Sequence, residues 1–360
     1  MNVRVFPMSA GKGASKMTTL VGALVVAAAG LIVGSGGWPM KLMRQLQFEH
    51  WWFVGMLAGL IVMPWAVTLS LCPDALNALG SVDASVLIRS NLFALGWGVA
   101  NVLCGLCFVP IGFALTGAIL AGLGVSLGVT VPMIVKGSGL FKDAADLGSP
   151  AGKAVLVGVA VMVIAVVLAS LAGLGRDRAL KKLQKTQGSF PIGLLMAIVS
   201  GILSTGISFA FVYSQGPILE AMKARGAGEI PAIFAVWALG LSAGALVNVL
   251  YPAYLMTRHK SWGVLGRNIK EVGLAAIIGV NFSIGVAMMG QGMLLLGALG
   301  ASVGFGIQQS TQMLGNQGVG FISGEWRGVS GAPRHQMVAA IGLLMLAAAI
   351  MAYGNTLTAN

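Results

Sequence analysis

Residues 153–174, KAVLVGVAVMVIAVVLASLAGL, begin with Lys153 and then contain no charged side chain before Arg176. About 20 consecutive apolar residues are enough for a helix to cross the hydrocarbon core of a bilayer. The whole chain has a similar composition: 57% of its 360 residues are hydrophobic and only 9% are charged, against about 25% charged in soluble domains. Mean hydropathy is +0.90. We therefore predict an all-α polytopic membrane protein.

Ten apolar runs of membrane-spanning length follow one another along the chain. Their predicted bounds are 18–38, 51–71, 88–108, 113–135, 153–174, 191–213, 231–256, 272–294, 297–322 and 336–354. Residues 1–16 form a polar, basic N-terminal extension. We expect the first run to be retained as a helix rather than cleaved as a signal peptide, because it is long for such a segment.

A weak internal sequence repeat divides the ten runs into two halves. TGAILAGLG (116–124) and LGALGASVG (296–304) share small residues at an offset of 180. A repeat unit of five spans enters the membrane from the opposite side in its second copy, which gives an inverted repeat. We predict a first five-helix repeat at 17–174, a basic linker at 175–190 and a second five-helix repeat at 191–354.

The net charge of +12 would suggest nucleic-acid binding in a soluble chain. Here the basic residues sit mainly in short loops, so the positive-inside bias of membrane proteins explains them better, and we expect no nucleic-acid partner. The two most basic loops, 175–190 and 257–271, must lie on one side, because two spans separate them. That side holds 13 Lys and Arg residues against 9 on the other, which places both termini outside the cytoplasm.

The ninth run is unusually polar for a membrane segment. Its core, GFGIQQSTQMLGNQG (304–318), places Gln308 and Thr311 beside Gln312 on a helix, with Asn316 on the same face as Gln312. Amides both donate and accept hydrogen bonds, which suits the hydroxyl groups of a neutral sugar. The alternative is that such groups only join helices, and for single Ser or Thr residues we prefer that alternative. For this cluster we predict a pocket for a neutral, hydroxyl-rich ligand.

Motifs for catalysis, metals or nucleotides are incomplete. GSPAGKA (148–154) is one residue short of a P-loop, and H-E-x-x-H is absent. Cys104 and Cys107 form C-x-x-C inside an apolar run without further ligands, so packing is the better interpretation. We expect no enzymatic activity, no metal and no cofactor.

Four stretches resemble one known family. They are QFEHWWFVGMLAGLIVMPWAV (47–67), FALGWGVANVLCGL (93–106), the Gly-rich stretch from Gly112 through Gly128 to Pro132, and SGEWRG (323–328). They resemble the L-rhamnose/proton symporter family, in the same order and with compatible spacing. The likeness covers about residues 20–354, and Trp-Gly-x-x-Asn and Glu-Trp are its most specific parts. This family is similar in plan to the drug/metabolite transporter superfamily, which has ten helices in two inverted five-helix repeats.

The resemblance implies a secondary active transporter in the cytoplasmic (inner) membrane that imports a neutral sugar, most directly L-rhamnose, by proton symport and alternating access. In the superfamily the third, fourth, eighth and ninth helices line the central cavity. The substrate-binding residues expected on this basis are Trp97, Asn101, Asn281, Gln308, Thr311 and Gln312.

Two features depart from the family pattern. Proton coupling normally needs a titratable group that reaches the cavity, yet all acidic residues fall in loops or at span ends, so Glu325 and Glu49 are the remaining proton-coupling candidates. The superfamily also keeps both termini in the cytoplasm, against the charge count, so the orientation stays open. The alternative function is a drug/metabolite-type transporter of another small neutral solute, sodium-coupled or uncoupled. Homo-oligomer formation also stays open; the lipid bilayer is the remaining expected partner.

Overall fold

The computed structural model describes residues 12–111, 113–136, 139–180 and 189–357. Most of the predicted N-terminal extension and half of the basic linker therefore lie outside the described residues. Within these ranges the chain is helical and has no β-strand. The α-helices are α1 (Lys12–Ser35), α2 (Phe48–Met56), α3 (Met63–Leu71), α4 (Ala75–Gly80), α5 (Ala84–Ile111), α6 (Phe113–Ile134), α7 (Pro150–Ala179), α8 (Phe190–Ser204), α9 (Gly206–Lys223), α10 (Glu229–Gly240), α11 (Ser242–Arg258), α12 (Gly263–Arg267), α13 (Ile269–Leu295), α14 (Phe305–Ile322) and α15 (Ala332–Thr356).

Seven helical segments in the described part of the chain are long and apolar enough to cross a membrane. They are Met17–Leu42, Phe48–Leu71, Ala84–Cys107, Pro150–Ala179, Pro191–Lys223, Ile269–Leu295 and Ala332–Thr356. The pair α10 and α11, bent by 61° at the break between them, makes an eighth if it is one span. Each of these segments corresponds to one of the predicted runs, so the all-α membrane class is confirmed.

The fourth and ninth predicted runs correspond to α6 and α14, which are not among these segments. α6 runs from Phe113 to Ile134. The ninth starts with a 3-10 turn at Gly297–Leu299 and a π-helical turn at Gly300–Gly304 before α14 begins. Gly297 has a φ of +79°, which glycine adopts without strain, and this residue ends the preceding helix.

Small residues let the helices approach closely at two crossings. α1 packs along α13 and α14, and a Cβ atom on Gly34 would overlap the carbonyl oxygen of Gln312. α2 and its π-helical continuation (Leu57–Val62) pack on α13, where a Cβ atom on Gly59 would overlap the carbonyl oxygen of Gly279. Helix association in lipid depends on such packing rather than on burial from water.

The remaining helices complete one bundle around these crossings. α7 packs along α15, α5 packs against α8, α9 and α11, and α6 packs against α7 and α8. α10 packs on α9 and α3. The ends of α1, α7 and α14 meet at one end of the bundle, where they line an open cavity.

Candidate functional site

A partly open cavity of about 660 Å³ lies where α1, α7 and α14 end, and we call it the vestibule. Helices α6 and α15 contribute to its wall. Its lining residues are Gly34, Gly37, Met40, Lys41, Ala121, Val166, Ala169, Ser170, Gly173, Arg176, Asp177, Met313, Asn316, Gln317, Val319, Gly320, Glu325, Trp326 and Met337. This volume is within the range of small-molecule sites.

A network of ion pairs forms one wall of the vestibule. Glu325 accepts hydrogen bonds from the Lys41 ammonium group and from Arg176, whose Nη1 atom lies 2.9 Å from Oε2 of Glu325. Arg176 also pairs with Asp177, at 3.0 Å between Nη2 and Oδ1. Three segments distant in the chain are joined in this way: the turn after α1, the end of α7 and the loop after α14.

An aromatic surface continues this wall. The guanidinium of Arg176 lies 5.5 Å from the ring centroid of Trp326, which is a cation–π distance. Trp326 stacks on Phe321 of α14 at 5.2 Å between centroids and an interplanar angle of 14°. Trp326 is only 4% exposed, so this tryptophan of the SGEWRG string is a packed part of the wall.

The uncharged polar lining comes from the end of α14 and the middle of α7. Asn316 and Gln317 line the vestibule together with Ser170. Ser170 donates its hydroxyl hydrogen to the Val166 carbonyl at 2.8 Å, which leaves its oxygen able to accept. The vestibule therefore offers both donors and acceptors to a hydroxyl-rich ligand.

The electrostatics of the wall keep Glu325 ionised. Burial raises the pKa of the Glu325 carboxyl. The hydrogen bonds and charges of Lys41 and Arg176 lower the pKa, and their combined effect is larger than that of burial. The net pKa lies below the usual glutamate value, because both cations favour the charged form.

The predicted amide cluster of α14 lies deeper than the vestibule. Gln308 donates to Gln312 at 2.7 Å between Nε2 and Oε1. Thr311 donates to the carbonyls of Ile307 and Gln308 at 3.0 and 3.2 Å. Gln308 and Thr311 are buried, and Thr311 faces Gly30 of α1.

The predicted residues of the third run, Trp97 and Asn101, lie in a second cluster with partners from the second, seventh and eighth runs. Asn101 donates to Oδ1 of Asn248 at 2.9 Å, and the Trp52 indole donates to the same oxygen at 3.3 Å. Trp97 stacks on Phe282 at 6.4 Å between centroids and 10° between planes.

Asn281 precedes Phe282 in α13 and lies beside the end of α1, where a Cβ atom on Gly36 would stand 3.5 Å from the Asn281 Cβ atom. The structure thus places Trp97 and Asn101 between α5, α11 and α13, and Gln308, Thr311 and Gln312 against α1. None of the six predicted substrate residues is among the described residues that line the vestibule.

Comparison with known proteins decides the family. A sequence model described as L-rhamnose-proton symport protein matches residues 14–354, a range that includes the vestibule and both buried clusters. The chain belongs to the L-rhamnose-proton symport protein family. With its membrane-length helices, this member is a multi-pass cell-membrane protein.

Individual relatives carry the same description. The chain is 30% identical over 215 residues to the L-rhamnose-proton symporter of Yersinia pestis bv. Antiqua (strain Antiqua), and the match covers 59% of this chain and 60% of that protein. The L-rhamnose-proton symporter of Yersinia pseudotuberculosis serotype IB (strain PB1/+) matches with the same identity and coverage. The matched region thus spans less than two thirds of these relatives.

The two proton-coupling candidates of this family member lie in different surroundings. Glu325 is in the vestibule wall, whereas Glu49 is in the first turn of α2, is 6% exposed and is not a lining residue. Oε1 of Glu49 lies 3.1 Å from Nδ1 of His259, just after α11. The Glu49–His259 contact therefore joins the ends of α2 and α11.

Sequence reasoning missed several residues that this symport-family chain brings to the vestibule. Lys41 and Arg176 were counted only as loop charges, and Gln317 was not assigned to the site. The signal for Gln317 was present, because it ends the same amide-rich stretch as Gln312. Nothing in the sequence pointed to Lys41 or Arg176 as partners of Glu325, since each comes from a separate loop or helix end.

Proposed function

We propose that this chain is a secondary active transporter that imports L-rhamnose together with protons across the inner membrane by alternating access. The observation that carries the proposal is the family match over residues 14–354. The vestibule agrees with it, since its uncharged amide, hydroxyl and indole groups suit a neutral sugar. We assign no enzymatic step to the chain.

The transporter is built, in this proposal, from ten membrane helices in two inverted five-helix repeats. Equivalent helices of the two halves have equivalent neighbours, which supports the symmetry: α1 packs on α13 and α14, and α8 packs on α5 and α6. The last helices of the halves, α7 and α15, pack on each other.

The close crossings follow the same pattern. Gly59 of the second predicted run meets Gly279 of the eighth, and Gly244 of the seventh run meets the Ala94 carbonyl in the third. In an inverted repeat the second and seventh runs are equivalent, and so are the third and eighth. The two crossings therefore occupy equivalent positions in the two halves.

The sugar binds, we propose, along a path that begins at the vestibule and continues to the two buried polar clusters. Asn316 and Gln317 make the first contacts, and Gln308, Thr311 and Gln312 follow along α14. Trp97, Asn101 and Asn281 complete the central site. The Gln308–Gln312 hydrogen bond, at 2.7 Å, would exchange for contacts with sugar hydroxyls, because amide groups can change partners at little net cost.

For proton coupling we propose Glu325 or Glu49. Glu325 is in contact with the vestibule and is paired with two cations, so proton uptake there requires those pairs to separate. Glu49 is buried at the junction of α2 and α11, where proton exchange with His259 would act on the packing of these two helices. Both remain candidates, and the two variants Glu325→Gln and Glu49→Gln separate them.

The test is uptake of labelled L-rhamnose into proteoliposomes with an imposed proton gradient, a sodium gradient or no gradient. We expect accumulation with the proton gradient alone. Accumulation driven by sodium, or equilibration without any gradient, would support the alternative coupling. If no gradient gives rhamnose uptake while the protein is correctly folded, the proposed substrate is wrong.

The same assay tests the amides of α14. Gln312→Leu should abolish most rhamnose uptake at unchanged protein level and melting temperature, because the side chain contacts ligand rather than stabilising the helix pair. Gln45→Leu, an exposed amide in the turn before α2, is the matched control and should transport normally. A Gln312→Leu protein that melts early and transports in proportion to its folded fraction would indicate a packing role instead.

A further inference from the structure

The charges in the vestibule are balanced. Among the described lining residues, the charged ones are two cations, Lys41 and Arg176, and two carboxylates, Asp177 and Glu325. Glu325 contacts both cations, while Asp177 contacts only Arg176. Glu325 is therefore the one carboxylate of the two that pairs with both cations.

The charge balance determines which ligands the vestibule accepts. The Lys41 and Glu325 side chains are 48% and 32% exposed, so the electric fields of these two groups extend into the vestibule. With Glu325 ionised, a negatively charged ligand would lose hydration without meeting an unpaired cation. Without that carboxylate, the four lining positions would carry one net positive charge, and a carboxylate on the ligand would find a partner.

We propose that Glu325 is a specificity-determining residue: by neutralising, together with Asp177, the charges of Lys41 and Arg176, it restricts the vestibule to neutral sugars and excludes sugar acids. The inference rests on the proposed function, in that the vestibule lies on the substrate path. It is separate from proton coupling, because charge selection is measured as a ratio of affinities and coupling as gradient-driven accumulation.

The experiment compares two ligands of the same ring shape on the purified full-length protein at fixed pH and salt. L-Rhamnose carries a methyl group where L-mannuronate carries a carboxylate. Equilibrium binding gives the Kd of each, and the readout is the ratio of the uronate Kd to the rhamnose Kd. In Glu325→Gln we expect this ratio to fall by at least about tenfold, since a nearby unpaired charge is worth that much at partly exposed sites.

Two further variants control for unspecific effects. Glu229→Gln removes a carboxylate that is 52% exposed, pairs with Lys223 and does not line the vestibule, and its ratio should equal that of the wild type. Adding Lys41→Gln to Glu325→Gln restores the charge balance, so the ratio should return toward the wild-type value. The effect in the single variant should also shrink at high salt.

If Glu325→Gln cannot be purified, Lys41→Gln alone tests the same inference with the opposite sign. It leaves one excess negative charge, so the cationic sugar mannosamine should gain affinity relative to mannose. An unchanged Kd ratio in Glu325→Gln, with rhamnose binding still present, would overturn the inference and leave the transport proposal standing. A lowered uronate Kd in a protein that never binds rhamnose would support charge selection and reject the substrate.

Discussion

At the scale of single residues, Glu325 joins more segments of the chain than Asp177, the other carboxylate among the described vestibule residues. Its two oxygens contact Lys41, in the turn after α1, and Arg176, near the end of α7. Arg176 in turn covers Trp326. Hydrogen bonds between charged groups are stronger than neutral ones, so this one side chain helps to hold three helix ends in place.

The lowered pKa of Glu325 predicts a pH dependence of stability. A carboxyl group whose pKa is lower in the folded state stabilises that state at pH values above its unfolded pKa, and the contribution disappears as the pH falls through the folded-state pKa. Lys41 and Arg176 lower the pKa of Glu325 against the effect of burial. We therefore expect Glu325→Gln to have a lower melting temperature than the wild type at neutral pH.

The difference should narrow as the pH is lowered below the usual glutamate range, and melting curves in detergent across pH would measure it. The matched control is Glu229→Gln, which should melt like the wild type throughout. A difference between wild type and Glu325→Gln that stays constant with pH would contradict an electrostatic origin.

At the scale of helices, glycine positions decide how closely the elements pack. Gly59 and Gly279 bring the π-helical turn at Leu57–Val62 against α13. A π-helical turn leaves the regular hydrogen-bond ladder locally. The second run is thus distorted, and α10 and α11 of the seventh run are bent by 61°. Neither run has a charged residue near its distortion, so the amino-acid composition gave no sign of the π-helical turn or of the bend.

The Gly59–Gly279 crossing gives a prediction for stability. Gly59→Ala places a Cβ atom into the Gly279 carbonyl, so the helices must separate, and overpacking of this kind costs about 1–3 kcal/mol. We expect a lower melting temperature in detergent. Gly342→Ala in α15 is the matched control, because a Cβ atom there meets open space, and its stability should be unchanged or slightly higher. Equal melting temperatures for the two variants would show that the crossing tolerates separation.

At the scale of the whole molecule, the two ends of the bundle differ. One end contains the vestibule, whereas the other is closed around the turn before α14. There Phe305 fills the space next to Gly128, Asn355 donates to the Leu296 carbonyl at 3.1 Å, and Ser302 is 1% exposed. In the proposed alternating-access cycle, this structure would be the state open toward the end that carries Lys41 and Arg176.

This asymmetry predicts one-sided chemical access. In a background without the native cysteines, Ser170→Cys should react with a membrane-impermeant thiol reagent from the vestibule end only, and L-rhamnose should slow the reaction. Ser302→Cys, buried at the closed end, should react slowly from either side. Comparing right-side-out with inside-out vesicles would also decide the orientation, on which the charge count and the superfamily pattern disagree. Equal labelling of both positions would contradict the open-and-closed assignment.

The amino-acid sequence by itself determined the membrane class, the positions of most spans and the resemblance to the symporter family. This was possible because a bilayer imposes its requirement locally: each crossing segment must be apolar and satisfy its own backbone hydrogen bonds. The amide-rich stretch around Gln312 was also visible in this way, since polar groups stand out in an apolar run. The weaker signal came from the ninth run, where two irregular turns and several polar residues shorten the apolar helix.

Only the tertiary structure decided which polar groups meet. Glu325 contacts residues 284 and 149 positions away in the chain, and Asn101 meets Asn248 across 147 positions. Such pairings depend on how the helices pack, and no local pattern encodes them. For the same reason Asn316 and Gln317 line the vestibule while Gln312 lies deeper, because the contact of α14 with the glycines of α1 closes the space beside the middle of that helix.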